Sequence, residues 1–360
     1  MKKIAVYIPN LTVGGAERVA IILANHFSKM EDISVDFILM NKKGELISDV
    51  NKNVNIVDLS VKNEKKEFFG LLKLRSYIRN EKPDSLLCIM WPLTIVGVIA
   101  KLISFSQVNL VLSDHTTFSK TPWIKNKIKR LIFRLSINIF YPLANCRLNV
   151  SNNASRDLEE LGWLKGKSIK TIYNPVELYQ GEICKQKNIE KNVISVGSLK
   201  WAKNHELLIK SFKLVLLKDE NVKLTIVGDG EMKEKLQSLA KSLEISDKID
   251  FVGNKKGQEL ENIYLNADLL VLSSHYEGFS VVILEALNYG VAVVSVDCDN
   301  GPREILGNGA YGCLVPINDE KLLSENIIKQ LNSNTDINFL RKRASDFSVN
   351  IIAEKYLNIL

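Results

Sequence analysis

Two glutamates eight residues apart, Glu277 and Glu285, are the side chains of this sequence best placed to do chemistry. They lie in His275-Tyr276-Glu277-Gly278-Phe279-Ser280-Val281-Val282-Ile283-Leu284-Glu285-Ala286-Leu287. The apolar run 268–273 ahead of them reads as a buried parallel strand. Gly278 marks a tight turn. From Ser280 the spacing becomes helical, with Val281, Ile283, Leu284 and Leu287 available to one broad face. Glu277 therefore sits in a strand-to-helix loop and Glu285 about two turns into the helix. In an open parallel sheet such loops line the ligand crevice. A helix start offers free N–H groups and a positive dipole end, which suit an anion. Two isolated glutamates could equally be a solvated loop and a surface helix, so the rest of the chain has to decide.

The elements that must hold them follow from the whole sequence. At 360 residues and 46% apolar content the chain suits two domains, each with a sizeable core. Five cysteines (Cys88, Cys146, Cys184, Cys298, Cys313), with no Cys-x-x-Cys pair, point to reduced thiols rather than a disulfide frame or zinc site. Met1-Lys2-Lys3 runs straight into a strand-like segment, so no leader is expected. Nor is a spanning helix: the longest apolar candidate, Cys88 to Ala100, contains Pro92 and stops at Lys101. The net charge of +7 is uneven, +11 over residues 1–175 and −4 over 176–360. A basic front half points to an anionic partner such as a membrane surface or a lipid phosphate.

Strand-helix alternation runs through both halves, which predicts parallel sheets with right-handed crossovers. The first strand, 3–9, leads through Val13-Gly14-Gly15-Ala16-Glu17 into an amphipathic helix ending near Phe27. Further strands are predicted at 34–40, 54–59, 85–90, 109–113 and 145–151, and helices at 70–79, 94–104, 124–135 and 154–161. Two glycines between strand and helix let a backbone approach a ligand, but they do not form the dinucleotide fingerprint, which argues against a dehydrogenase. His115 follows the fifth strand; a lone histidine there is either satisfied by backbone or turned to a ligand, and Asp114 is the alternative group. Lys120 to Arg134 holds six cations and no acid. Ile124, Ile128, Leu131 and Leu135 would share one face of its helix, with Lys125, Lys127, Lys129 and Arg130 around the remainder. That pattern suits either a core-packed helix with a solvated basic face or a helix lying on an anionic bilayer. No nucleic-acid recognition module appears.

After Asn174-Pro175-Val176-Glu177 the polar stretch 180–191 reads as linker. The pattern restarts at 192–197, followed by Ser198-Leu199-Lys200-Trp201-Ala202-Lys203 and a helix over 206–217. Gly228-Asp229-Gly230 turns the next strand, 222–228, into a helix, and Val252-Gly253-Asn254 ends the strand after that. Strand 291–296 runs into Asp297-Cys298-Asp299, which could be mistaken for a metal signature. Helices are predicted at 319–331, 337–344 and 348–360.

The Glu-x7-Glu segment, carrying Glu-Gly-Phe-Ser and Glu-Ala, closely resembles that of the retaining family 4 glycosyltransferases. The likeness extends over nearly the whole chain. It implies an α/β GT-B fold: an acceptor domain over 1–175, a linker over 176–191, a nucleotide-sugar domain over 192–345, and a closing helix over 346–360 that crosses back onto the first domain. It also implies transfer of a hexose or N-acetylhexosamine from a nucleotide-diphosphate sugar, UDP-linked in first place and GDP-mannose next, onto a glycan or polyprenyl-diphosphate-linked acceptor in surface polysaccharide assembly. Such an enzyme would be cytoplasmic or peripheral on the inner membrane face and would need no metal or other cofactor. By resemblance Glu285 holds the ribose hydroxyls, Glu277 the sugar, and Lys203 the leaving diphosphate. Gly14, Gly15, Gly278 and the amides of Phe279, Ser280 and Val281 lie near phosphate, Gly228 and Asp229 beside the nucleotide, and Val252 and Asn254 by the base. His115 contacts the transferred sugar or orients the acceptor. The sequence departs from the family at Ser198, where an arginine normally shares the diphosphate with Lys203. Two other classes remain compatible: a sugar-nucleotide epimerase of the same fold, and a sugar-nucleotide-binding protein without activity, which would account for Ser198.

Overall fold

A computed structural model describes every residue other than 13, 62–66, 165–167, 184–189 and 299–300. The described chain divides into two compact units, one of Met1–Glu177 with Ser348–Leu360 and one of Leu178–Phe347.

The first unit is built on seven parallel strands: β1 (Lys2–Ile8), β2 (Ile33–Leu39), β3 (Asn55–Asp58), β4 (Ser85–Ile89), β5 (Asn109–Asp114), β6 (Cys146–Asn149) and β7 (Lys170–Thr171). Their order is β3-β2-β1-β4-β5-β6-β7. Helices α1 (Gly15–Phe27), α2 (Glu67–Glu81), α3 (Leu93–Ser104), α4 (Lys127–Phe140) and α5 (Asn152–Leu161) connect them. Both faces of the sheet are covered, which is why β4 is apolar almost without interruption. Its alternate residues enter different cores: Leu86 and Cys88 join the layer under α2 to α5, whereas Leu87 and Ile89 join the layer under α1.

The second unit carries β8 (Lys191–Val196), β9 (Val222–Val227), β10 (Ile249–Gly253), β11 (Leu269–Leu272), β12 (Ala292–Val296) and β13 (Cys313–Val315). All are parallel, in the order β10-β9-β8-β11-β12-β13. Its helices are α6 (His205–Leu216), α7 (Lys233–Ser242), α8 (Gly257–Leu265), α9 (Val281–Asn288), α10 (Pro302–Ile305), α11 (Glu320–Leu331) and α12 (Ile337–Ser345). Each unit thus has the doubly wound form of a GT-B half. Asp319 and Asp336 cap α11 and α12 by accepting from Leu322 N and Phe339 N.

A last helix, α13 (Val349–Leu357), packs beside α1, and its Ile352, Ala353 and Tyr356 complete the core of the first unit. Val176 and Ser348 form a parallel bridge within that unit. Asn109 Nδ2 donates to the Ile359 and Leu360 carbonyls (2.8 and 2.9 Å), and Ser85 Oγ also donates to the Leu360 carbonyl.

The basic helix differs from its sequence reading. Asn126 Oδ1 accepts from Ile128 N and Lys129 N (3.0 and 3.1 Å), so the helix begins at Lys127 rather than Ile124. Ile124 lies in a preceding 3-10 turn and is buried there. Phe133 and Ile137 form the buried face of α4, while Ile128, Leu131 and Leu135 are exposed.

Candidate functional site

In the second sheet the strand order reverses between β8 and β11, and the loops leaving those strands meet there. His275 N donates to the Ala202 carbonyl (2.8 Å), and Ser273 Oγ donates to the Lys203 carbonyl (3.0 Å). Trp201 stacks on His275 with ring centroids 4.4 Å apart. These contacts bring together two glutamate-lysine partners that lie 74 residues apart in sequence. Lys203 Nζ donates to Glu277 Oε1 at 2.7 Å, and Ser274 Oγ donates to the same oxygen at 2.6 Å. Glu277 and Ser274 are buried, whereas the lysine head keeps partial exposure. The lysine stem passes over Gly197, where an added Cβ would lie 3.4 Å from its Cε. The site therefore holds a fixed carboxylate beside a fixed cation at the mouth of the sheet.

Glu285 sits two turns into α9, and Tyr264 at the end of α8 donates its hydroxyl to Glu285 Oε2 at 2.6 Å. Tyr264 stacks face to face on Tyr289, centroids 5.3 Å apart. Tyr289 OH in turn donates to Glu261 Oε2 at 3.2 Å. The start of α9 is partly engaged already, since Val281 N donates to the Phe279 carbonyl (3.0 Å). Ser280 Oγ is buried and has no hydrogen-bond partner. Gly301 lies against this turn: a Cβ there would come within 3.0 Å of Ser280 N and 3.1 Å of Phe279 Cα.

The loops after β8, β9 and β10 form a second layer of the site. Leu199 N donates to the Asp229 carbonyl (2.9 Å), and Gly228 N donates to the Gly253 carbonyl (2.8 Å). Gly228 has φ +139°, and a Cβ on it would fall 2.0 Å from the Gly197 carbonyl oxygen. This glycine is required by the close approach of two loops, whatever ligand lies above them. Asp229 and Asn254 are exposed. A register shift between Phe251 and Gly253 leaves Val252 outside the β10–β9 pairing, the kind of bulge that redirects a side chain at a sheet rim. Ser198 is exposed and brings no charge, leaving Lys203 and exposed Lys200 as the cations of the β8 loop. Asp297 forms an ion pair with Arg303; Asp299 lies outside the described residues. Among the described residues no group of three or more His, Cys, Asp or Glu side chains could hold a metal ion.

The first unit has its own reversal point, between β1 and β4. Gly14 and Gly15 open α1 there. The Glu17 carboxylate folds back over Gly14, and burial raises its pKa; nothing lies within 4 Å of the position of a Cβ on Gly15. Asp114 at the end of β5 is fully buried. It accepts from Trp91 N (3.1 Å) and from Tyr141 OH (2.5 Å), an arrangement that holds the loops after β4 and β5 together. Burial pushes its pKa up to about 7. His115 is the neighbour turned away from that network. Its Nε2 meets Ser113 Oγ at 3.2 Å, its Nδ1 is buried without a partner, and desolvation pushes its pKa down to about 4. The imidazole is thus neutral near pH 7, with one ring nitrogen uncommitted.

Sequence reasoning missed Ser274, Tyr264 and Tyr289. Ser274 stands three residues before Glu277, and Tyr289 one helical turn after Glu285, so spacing could have found them. Tyr264 lies on another helix and had no local signal.

Two doubly wound sheets with a lysine–carboxylate pair at one reversal point are a frame shared by many proteins, and comparison with known proteins says which family this one is. The family described as Glycosyltransferase Family 4 matches residues 13–180, and the one described as Glycosyl transferases group 1 matches 182–348. This chain belongs to that family of glycosyltransferases.

Among its relatives is a Campylobacter jejuni enzyme named GalNAc-alpha-(1->4)-GalNAc-alpha-(1->3)-diNAcBac-PP-undecaprenol alpha-1,4-N-acetyl-D-galactosaminyltransferase. It is 28% identical, over 100% of this chain and 98% of its own length. An Erwinia amylovora protein named for amylovoran biosynthesis is 25% identical over 100% of both chains. Solved structures share the fold. Anabaena Alr3699/HepE in complex with UDP-glucose superposes with a TM-score of 0.82 at 19% identity, covering 100% of both chains. The lipopolysaccharide outer core galactosyltransferase WaaB gives 0.77 at 19% identity, covering 100% of this chain and 99% of that one.

Proposed function

We propose that this glycosyltransferase moves a hexose or N-acetylhexosamine from a UDP-sugar, with GDP-mannose the second choice of donor, onto a glycan carried on polyprenyl diphosphate, in assembly of a bacterial surface polysaccharide. The observation that carries the reading is the Lys203–Glu277–Ser274 cluster at the reversal point of the second sheet, with Glu285 held by Tyr264 two turns further on. The printed names of the Campylobacter and Erwinia relatives support the acceptor class and the biosynthetic setting.

In this reading Glu285 accepts from the ribose hydroxyls, and Glu277, fixed by two donors, orients hydroxyls of the transferred sugar. The bond from the anomeric carbon to the diphosphate oxygen breaks while the acceptor oxygen bonds to the same face, which retains configuration. The acceptor proton passes to the departing phosphate, so neither glutamate need become a nucleophile. Negative charge grows on the leaving oxygen, and the Lys203 ammonium lies where it stabilises that charge without reorganising. Fixed cations and helix-start amides then do what a metal would do elsewhere. His115, neutral and with a free ring nitrogen, orients an acceptor hydroxyl. The enzyme works at the cytoplasmic membrane face, where its acceptor resides; no described helix is long and apolar enough to cross a bilayer. Ser198 supports a second reading, a donor-binding protein that does not transfer.

The test is thermal-shift binding of UDP, GDP, ADP and their sugars with Glu285→Ala as control, followed by transfer to a polyprenyl-diphosphate glycan and NMR of the new anomeric proton. A shift with one nucleotide series, lost in the variant, together with an axial-type linkage from an axial-type donor, is expected. Binding without transfer to any lipid-linked acceptor would favour the second reading; inverted product would overturn the mechanism.

A further inference from the structure

The second unit holds a cavity of about 230 Å³ whose walls include neither Lys203 nor Glu277. Three segments form it: the β8 loop running into α6, the start of α7, and the loop after β11. Backbone hydrogen bonds tie these segments together. Met232 N, just ahead of α7, donates to the Leu199 carbonyl (3.0 Å), and His275 N donates to the Ala202 carbonyl (2.8 Å). The shape of the cavity is therefore set by the fold, as in most small-molecule sites. The turn at 201–203 has two uses: Lys203 goes to Glu277, while Trp201 lines the cavity.

The walls have two characters. Trp201 stays 53% exposed although His275 stacks on it, and Met232 and Leu236 add apolar surface. The start of α6 supplies polar groups. Glu206 Oε1 accepts from Lys235 Nζ (2.6 Å), which fixes the carboxylate and leaves its Oε2 without a partner among the described residues. His205 is buried, and its Nδ1 has no hydrogen-bond partner among the described residues. Burial pushes its pKa down to about 4, so the ring is neutral and has one donor and one acceptor. Buried polar capacity of this kind calls for a hydroxyl or a bridging water. Asn204 and Lys200 complete the polar side.

This set suits a pyranose ring. One face of such a ring is apolar C–H and lies flat on an indole, while its rim of hydroxyls both donates and accepts. Glu206 and Lys200 carry opposite charges, so the walls select no net sign, and the carboxylate repels a phosphate. The volume is below that of an ordinary drug-sized site, which fits one ring better than a nucleotide.

We propose that this cavity is a second carbohydrate site, apart from the donor site, that takes one uncharged pyranose residue against Trp201 with its hydroxyls on Glu206 and Asn204. The choice of a sugar rests on the glycan acceptor proposed above. The ring comes either from a distal residue of that glycan or from a free saccharide, and the test separates the two.

Saturation-transfer NMR reads binding of methyl α-D-glucopyranoside and methyl N-acetyl-α-D-galactosaminide to the full chain with UDP at saturation. Transfer to the ring C–H protons of at least one glycoside is expected. Trp201→Ala and Glu206→Gln each lower its affinity at least about fivefold. Glu277→Gln, which strikes the donor-sugar position, leaves the signal in place, and Glu206→Gln leaves UDP affinity at the wild-type value. Absence of transfer to both glycosides overturns the proposal, as does equal affinity in wild type and Glu206→Gln. Kinetics then locate the source. If the ring belongs to the glycan, Glu206→Gln raises KM at least about fivefold for a long lipid-linked acceptor, with kcat and the KM for a one-sugar acceptor unchanged. Unchanged KM for both acceptors assigns the site to a free saccharide. A wild type that binds a glycoside but transfers to no acceptor faults the proposed reaction and leaves the site standing. Normal transfer with no glycoside signal does the reverse.

Discussion

The pair Lys203–Glu277 is the sharpest place to test the site, because charge, packing and catalysis can be separated there. At 2.7 Å two unit charges attract with about 6 kcal/mol at an effective dielectric of about 20, before desolvation is subtracted. The glutamate side chain is 8% and the lysine 24% exposed, so removing one partner leaves a charge in a mostly water-poor site. Breaking such a pair costs about 3–5 kcal/mol, and with the lysine partly wet the lower end, about 3 kcal/mol, is expected. For a domain of this size that lowers Tm by about 6–12 °C. Lys203→Met keeps the stem that lies over Gly197 and removes only the charge. Glu277→Gln keeps an acceptor for Ser274. The double variant should cost less than the two singles together, with a coupling of at least about 1.5 kcal/mol. Urea unfolding of the four proteins at pH 7.5 measures it, and turnover in the same set should fall at least about 10²-fold in each single variant. Additivity within about 0.5 kcal/mol would show that the two groups do not act as a pair, and near-normal turnover of either single variant would remove that residue from the mechanism.

Tyr264→Phe deletes the hydroxyl that holds Glu285 but keeps the ring stack on Tyr289, so nucleotide affinity should fall about 3- to 10-fold at unchanged fold stability within about 1 kcal/mol, read by calorimetric titration. The pH dependence of stability contains opposing contributions. His115 and His205, both with pKa values depressed to about 4 by burial, contribute stability present above about pH 6.5 and lost as pH falls toward 4. Asp114, raised to about 7, works with the other sign: the unfolded state loses its proton near pH 4 and the folded state near 7, so stability declines with rising pH across that window. Asp114→Asn should therefore steepen the rise in urea midpoint between pH 4.5 and 6.5; an unaltered profile would show that the carboxyl ionises normally in the fold. EDTA should leave transfer activity intact, and full loss restored by Mn²⁺ would bring Asp297 into the reaction.

Much of the fold could be read because buried parallel strands have an uninterrupted apolar signature. β4, β11 and β12 stand out by composition alone, and each is followed by glycine, serine or proline before a helix begins. Short edge elements are harder: β7 spans only Lys170–Thr171, and an edge strand that short carries little apolar pattern. The basic helix is a more instructive case, since its pattern left open whether the apolar stripe faces the core or a bilayer. Its periodicity showed correctly that it has an apolar stripe. Periodicity cannot say which neighbour covers a stripe, and here Phe133 and Ile137 face the core instead. At the site, Glu277, Lys203 and Glu285 were legible through a motif. Their supports, Ser274 and Tyr264, act through side-chain geometry across the tertiary structure, and a linear pattern does not carry that.

The path of the chain has a consequence for how the molecule is made. The second unit is an insertion within the first, entered after Glu177 and left before Ser348, and Val176 pairs with Ser348 at that junction. The core of the first unit takes Ile352, Ala353 and Tyr356 from the far side of that insertion, so residues 1–177 alone leave one flank of it uncovered. The same junction leaves the host sheet uncut: residues 178–347 depart from and return to the first unit without interrupting any of its strands.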